Sequence, residues 1–126
     1  MEFKANKGIF IQIAENLCRQ ILEGKLPVGA RVPSVRDLAT ELEVNRNTVM
    51  RTYSYLQDEN IFENKRGIGF FVAENAKTII KQKEKKEFFN TDFPVLIEKI
   101  KILKLTSTDL QELITEIKNN DTHENK

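Results

Sequence analysis

Asn45, Arg46, Asn47 and Thr48 stand in a row where a helical apolar pattern begins, and each carries a side chain able to bond nucleic acid. Arginine can bond two acceptors of guanine with its fork, asparagine can bond adenine in the same two-point way, and threonine can bond a phosphate or touch a thymine methyl. Placed on the first turn of a helix, such a cluster has the chemistry to read base edges in the major groove. Each residue also has a plain structural use: Asn45 as a helix cap, Thr48 as a first-turn residue, Arg46 and Arg51 as solvated charges. The surroundings favour the first reading, because Asn45 to Tyr55 hold two arginines and no carboxylate.

The elements that must position this cluster follow from periodicity. Ile9, Phe10, Ile13, Ala14, Leu17 and Ile21 recur at helical spacing and stop at Gly24, with Pro27 shortly after, which predicts a helix over about 9–23. The connector G-K-L-P-V-G-A-R-V-P is a loop of fixed shape. Ser34 is an N-cap type with Asp37 three residues on, and Val35, Leu38, Ala39 and Leu42 form the buried stripe of a second helix. Only Glu43 and Val44 separate it from Asn45, after which Val49, Tyr53 and Leu56, with Thr52 between them, define a helix over about 46–59. Two helices joined so tightly must cross steeply and leave one face of the second free, as in a helix-turn-helix. That free face carries Asn47, Met50, Arg51 and Ser54, while Arg46 and Thr48 project from its first turn.

Asn60 can stop the third helix in a left-handed conformation, and I-F-E-N-K-R-G-I-G-F-F-V then reads as a β-hairpin. Its tip, Lys65, Arg66 and Gly67, is free of acids, and glycine there lets backbone approach the minor groove or phosphates.

From Glu74 the composition shifts to lysine-rich sequence with a new apolar stripe of Phe89, Phe93, Leu96, Ile97, Ile100 and Leu103. Pro94 implies one kinked helix or two helices divided near Asn90–Asp92, with the proline in a first turn where its missing N–H is harmless. Thr106 and Asp109 form another cap pair, opening a helix over about 107–119 with Leu110, Leu113, Ile114 and Ile117 inside. Two stripes in so short a segment must pack on something, and a symmetric copy of the chain is the economical partner. The expected organisation is a DNA-binding domain over 1–74, a helical dimerisation segment over 75–119 and a disordered tail over 120–126.

Composition removes several alternatives. The chain has 126 residues, 40% apolar and 31% charged, with no long apolar run and no basic-then-apolar opening, so the expectation is a cytoplasmic protein without membrane contact. Cys18 lies among the apolar positions of the first helix and reads as buried filler, and His123 lies in the terminal stretch with no second ligand type nearby. No metal, cofactor or catalytic constellation is expected, since the carboxylates fall beside lysines, as at Glu84/Lys81 and Glu98/Lys101, where helix pairing explains them. A net charge of +1 gives no global nucleic-acid signature, and it leaves open a rival reading, a winged-helix module that contacts proteins.

The stretches L-P-V-G-A-R-V-P-S-V-R-D-L-A-T-E-L-E-V-N-R-N-T-V and L-Q-D-E-N-I-F-E-N-K-R-G-I-G-F-F-V resemble the winged helix-turn-helix domain of GntR-family bacterial transcription regulators over about residues 6–73. In particular the chain looks like the short YtrA-like subfamily, in which a small helical segment replaces a large effector domain. The resemblance implies a mostly α (α+β) fold, an N-terminal winged helix-turn-helix with a β-hairpin wing followed by a short all-helical dimerisation segment. It implies a homodimer on an inverted-repeat, double-stranded DNA operator, acting as a repressor, and no residue pattern identifies a small-molecule effector. Arg36 falls on the family's DNA-contacting arginine of the second helix, Arg46 and Thr48 on its recognition-helix contacts, and Arg66-Gly67 on its wing tip. Met50 departs from a position often basic, Ile68 from a frequent wing arginine or lysine, and Phe70 from a frequent threonine or serine, which implies a different base preference or weaker binding. The candidate DNA-contacting set is Ser34, Arg36, Asn45, Arg46, Asn47, Thr48, Met50, Arg51, Lys65, Arg66 and Gly67.

Overall fold

The computed structural model describes residues 8–124, which divide into two compact units with the boundary between Glu84 and Lys85. The first unit opens with α1 (Ile9–Leu22), whose buried residues Ile13, Ala14, Leu17 and Ile21 are the inner part of the expected stripe. The helix ends where Gly24 takes φ 81°. In the following loop Leu26 and Val32 are buried and plug the core from outside the helices.

Helix α2 (Val35–Leu42) begins at Ser34, whose Oγ accepts from the Asp37 amide at 3.0 Å. Leu38 and Ala39 are buried, while Val35 and Leu42 are half-buried against the core. Glu43 in the left-handed region (φ 56°) makes the tight turn into α3 (Arg46–Asp58). Val49, Thr52, Tyr53 and Leu56 are all buried, the four positions that periodicity assigns to the core face. Asn60 (φ 64°) ends the helix as expected.

Strands β1 (Phe62–Lys65) and β2 (Gly69–Val72) pair antiparallel, Phe62 opposite Val72 and Lys65 opposite Gly69. Tyr53 joins the parts of this unit: its hydroxyl donates to the Pro33 carbonyl at 2.7 Å, and its ring meets Phe62 and Phe70 edge to face at 5.2 Å each. Burial, with the Glu41 charge adding to it, pushes the Tyr53 hydroxyl pKa well above the usual phenol range. A neutral phenol is what the bond to a carbonyl requires.

Helix α4 (Ala76–Glu87) corrects the expected boundary at residue 74. Ala76 and Ile80, one helical turn apart, are 0% and 2% exposed and belong to the core of the first unit. Lys83 extends the attachment, its ammonium donating to the Tyr55 hydroxyl and to Glu59 Oε1 at 3.2 Å. Partial burial lowers the Lys83 pKa, but the bonds to Tyr55 and Glu59 outweigh it and hold the group above its ordinary value.

In the second unit the helix passes through a π-helical turn, Phe88–Asp92, into α5 (Phe93–Leu103), with Pro94 in the first turn. The expected division near Asn90–Asp92 therefore takes the form of a widened turn, in which the Phe93 amide donates to the Phe88 carbonyl five residues back and Pro94 follows in the first turn of α5. Lys104 (φ 53°) closes α5. The Thr106 and Asp109 caps are reciprocal, with Asp109 Oδ2 accepting from the Thr106 amide at 2.9 Å and Thr106 Oγ1 accepting from the Asp109 amide at 3.2 Å.

Helix α6 (Gln111–Glu124) starts later than the caps suggest, because residues 107–110 form turns and the Gln111 amide reaches back only three residues, to Thr108, at 3.3 Å. It also runs past Asn119, which corrects the tail expected over 120–126 as far as Glu124; residues 125–126 lie outside the described residues. No glycine or proline interrupts 111–124, and Thr122 Oγ1 donates back to the Lys118 carbonyl at 3.2 Å. His123 lies exposed in its last turn.

Candidate nucleic-acid interface

The polar cluster occupies the first two turns of α3. Asn45 is its N-cap, with Oδ1 accepting from the Asn47 amide at 2.7 Å, so its side chain already has a structural task. Arg46, Asn47, Met50, Arg51 and Ser54 are exposed, and Thr48 is half-buried. Thr52, beneath them, places its hydroxyl 3.0 Å from the carbonyls of both Phe10 and Thr48, which ties the N-terminal half of α3 to α1. The first turn of α3 carries no acid, and the positive end of a helix favours anionic phosphate.

Arg51 differs from Arg46. Its guanidinium lies 4.0 Å from the centroid of the Phe10 ring, so part of its capacity is used inside the unit. Among the described residues no carboxylate pairs with Arg36, Arg46, Arg51, Lys65 or Arg66.

Ser34 and Arg36 sit exposed at the start of α2, the former with its Oγ engaged in capping. Lys65 ends β1 with its ammonium 4.4 Å from the Phe71 centroid, on the same face of the hairpin. Arg66 and Gly67 (φ 81°) form the exposed turn, closed by the Ile68 amide donating to the Lys65 carbonyl at 2.9 Å. Positive φ at Gly67 is the conformation that a turn of this kind reserves for glycine. Tyr53 joins the three groups through the Pro33 carbonyl beside Ser34, its own place on α3, and Phe70 in the wing.

Sequence reasoning missed two participants. Periodicity places Phe10 only in the α1 stripe, yet it is the platform for Arg51. Arg31 falls in the connector between α1 and α2, where the sequence marks only a loop, yet its Nη2 donates to the Ile68 carbonyl at 2.6 Å. The signal was available on the other side of that contact, because a glycine inside a strand, Gly69, marks a close approach by another group.

A two-helix reader crossed on a third helix, with an acid-free first turn and a basic-tipped hairpin, defines a winged helix-turn-helix DNA-binding transcription regulator. The sequence profile described as "Bacterial regulatory proteins, gntR family" matches residues 11–72. The chain is 38% identical over 84 residues to YhcF of Bacillus subtilis, described as an uncharacterized HTH-type transcriptional regulator, with 67% of this chain and 69% of that protein covered. It is 39% identical over 77 residues to the HTH-type transcriptional repressor YtrA of the same organism, covering 61% of this chain and 59% of YtrA. A crystal structure of a GntR-family regulator from Bacteroides thetaiotaomicron superposes with a TM-score of 0.73 at 36% identity, covering 90% of this chain and 99% of that one. The chain belongs to the GntR family of bacterial transcriptional regulators.

Proposed function

We propose that the protein acts as a homodimer on an inverted-repeat operator, with the first turns of α3 in the major groove and the Arg66-Gly67 wing at the minor groove or the backbone. The observation that carries this reading is the exposed, acid-free face of Arg46, Asn47, Met50 and Arg51 at the start of α3. In this reading Ser34, Arg36 and Lys65 add backbone contacts and Thr48 supports the base-reading residues. Repression is the favoured outcome, because the relative YtrA is described as a repressor. A regulator of this kind would work in the cytoplasm, and among the described residues no helix is long and apolar enough to cross a membrane.

The second unit supports the dimer. Among its described residues none is buried, although Phe89, Phe93, Leu96, Ile97, Ile100, Leu103, Leu110, Leu113, Ile114 and Ile117 all lie there. Phe89 and Leu103 are 57% and 64% exposed, and Phe88, Phe89 and Phe93 pack on one another at the π turn with centroids 5.2 to 6.2 Å apart. Burying such side chains is worth roughly 1.5–3 kcal/mol each, so a second copy laid on them gains from every one it covers. Two-fold docking then demands half-sites about one helical turn apart. Binding-site selection from randomised duplex DNA tests the proposal: a consensus with two-fold symmetry is expected, and one without it refutes the dimeric reading.

A further inference from the structure

The wing is more than a two-stranded hairpin. Residues 29–32 run beside β2, with the Val32 amide donating to the Phe70 carbonyl at 2.9 Å, the Val72 amide to Ala30 at 2.9 Å and the Gly29 amide to Val72 at 2.8 Å. Arg31 is the centre of this edge, bridged to Phe71. Its side chain reaches the turn, where Nη2 donates to the Ile68 carbonyl at 2.6 Å.

Its guanidinium also lies over the backbone of Gly69. A Cβ at that position would stand 3.1 Å from Arg31 Nε and 3.3 Å from Nη2, and the glycine has φ 144°, which side-chain-bearing residues rarely adopt. Gly69 is therefore favoured by its backbone, and a side chain there would press the Arg31 guanidinium back by a few tenths of an ångström.

The turn carrying Arg66 and Gly67 is thus held at both ends of one residue. The Ile68 amide is bonded to Lys65 and the Ile68 carbonyl to Arg31, while the Ile68 side chain is 55% exposed and anchors nothing in the core. Two-stranded hairpins are marginal in water, and a tip without packing samples many orientations. We propose that Arg31 is a positioning residue for DNA binding, its fork on Ile68 and Gly69 fixing the direction in which Arg66 and Gly67 are presented to the sugar-phosphate backbone. The proposal rests on the reading that the wing meets DNA. Arginine suits the task where lysine does not, because a planar fork can lie over a glycine and bond a carbonyl at once, whereas an ammonium is a single point.

A double-mutant cycle on the full chain tests it, with a duplex carrying the selected consensus as probe. Arg31→Met is expected to weaken binding roughly five- to tenfold, the scale of one ordinary hydrogen bond. Arg31→Lys should lose nearly as much, and Gly69→Ala should reproduce the loss from the other side of the contact. Neither Arg31 variant should add to the loss already caused by Arg66→Ala. In the free protein, Arg31→Met should move the amide resonances of Ile68 and Gly69 while those of α3 stay in place.

Full rescue by Arg31→Lys, or a loss additive with Arg66→Ala, would mean that Arg31 meets phosphate for itself and would overturn the proposal. Unmoved Ile68 and Gly69 amides would overturn it too. If Arg66→Ala leaves affinity unchanged, the wing's contact with DNA is refuted and the positioning role with it. Amide shifts still seen in that case locate the failure in the contact and not in Arg31's hold on the turn.

Discussion

The guanidinium of Arg51 lies 4.0 Å from the centroid of the Phe10 ring, which fastens one of the two recognition-helix arginines to α1. Phe10 meets Tyr55 edge to face at 6.1 Å, and Lys83 sits 4.6 Å from the Tyr55 centroid. Cation, ring, ring and cation thus link α3, α1 and α4. Arg46, five residues earlier on the same helix, is exposed and has no such attachment among the described residues.

The two arginines should therefore fail differently. Arg51→Ala is expected to lower folding stability by about 0.5–1 kcal/mol, the worth of a solvent-accessible cation–π contact. Arg46→Ala should leave stability within about 0.5 kcal/mol, as ordinary surface changes do. On the selected operator the order should reverse, with Arg46→Ala costing about 1–3 kcal/mol and flattening base preference. Urea unfolding and competition binding measure the two quantities; equal stability losses would show that Arg46 also serves the fold.

Met50 is 45% exposed on the same face, between Asn47 and Ser54. Met50→Arg should strengthen binding to duplex of any sequence and steepen the dependence of log affinity on log salt by about one unit, because one more phosphate contact releases about one more counterion. An unchanged salt slope with an unchanged consensus would place Met50 away from the DNA.

The face of each N-terminal helix was readable because burial follows spacing: Val49, Thr52, Tyr53 and Leu56 stand where a 3.6-residue period puts them. The caps at Ser34 and Asn45 were readable because their chemistry is local. Contacts across the chain were not. Arg31 and Ile68 are 37 residues apart, and nothing in the pattern around either names the other. Ala76 and Ile80 form too short a stripe to say which unit they join, so the lysine-rich composition around them suggested a boundary ten residues too early, at 74 against 84.

Cys18 is half-buried against the core, and burial pushes its thiol from 9.0 up to about 11, with Lys83 opposing and Glu84, Glu15 and Glu59 reinforcing the rise. At pH 8 the thiolate fraction should be about 100-fold lower than in the unfolded chain, two pKa units being two powers of ten. Alkylation by iodoacetamide should be slower in the native protein by at least that factor. The raised pKa favours the neutral thiol in the fold, so its contribution to stability is complete below pH 9 and is lost as pH rises from there through 11. Equal alkylation rates in native and urea-unfolded protein would show that the site is open to solvent.

Two truncations separate folding from pairing. Ending the chain after Asn75 removes Ala76 and Ile80, which are 0% and 2% exposed, and the Lys83 bonds to Tyr55 and Glu59. Losing one buried isoleucine alone forfeits roughly 1.5–3 kcal/mol, a large share of a small domain's stability of about 5–15 kcal/mol. Ending it after Glu84 keeps all of these contacts and removes only the unit whose apolar side chains lie open. The longer fragment should therefore unfold cooperatively near the midpoint of the full chain, sediment as a monomer and bind the operator very weakly, because its two half-site contacts no longer share one association cost. The shorter one should melt earlier by a clear margin. A fragment ending at Glu84 that still sediments as a dimer would remove the second unit from the interface, and equal stability of the two fragments would mean that α4 contributes nothing to the core it enters.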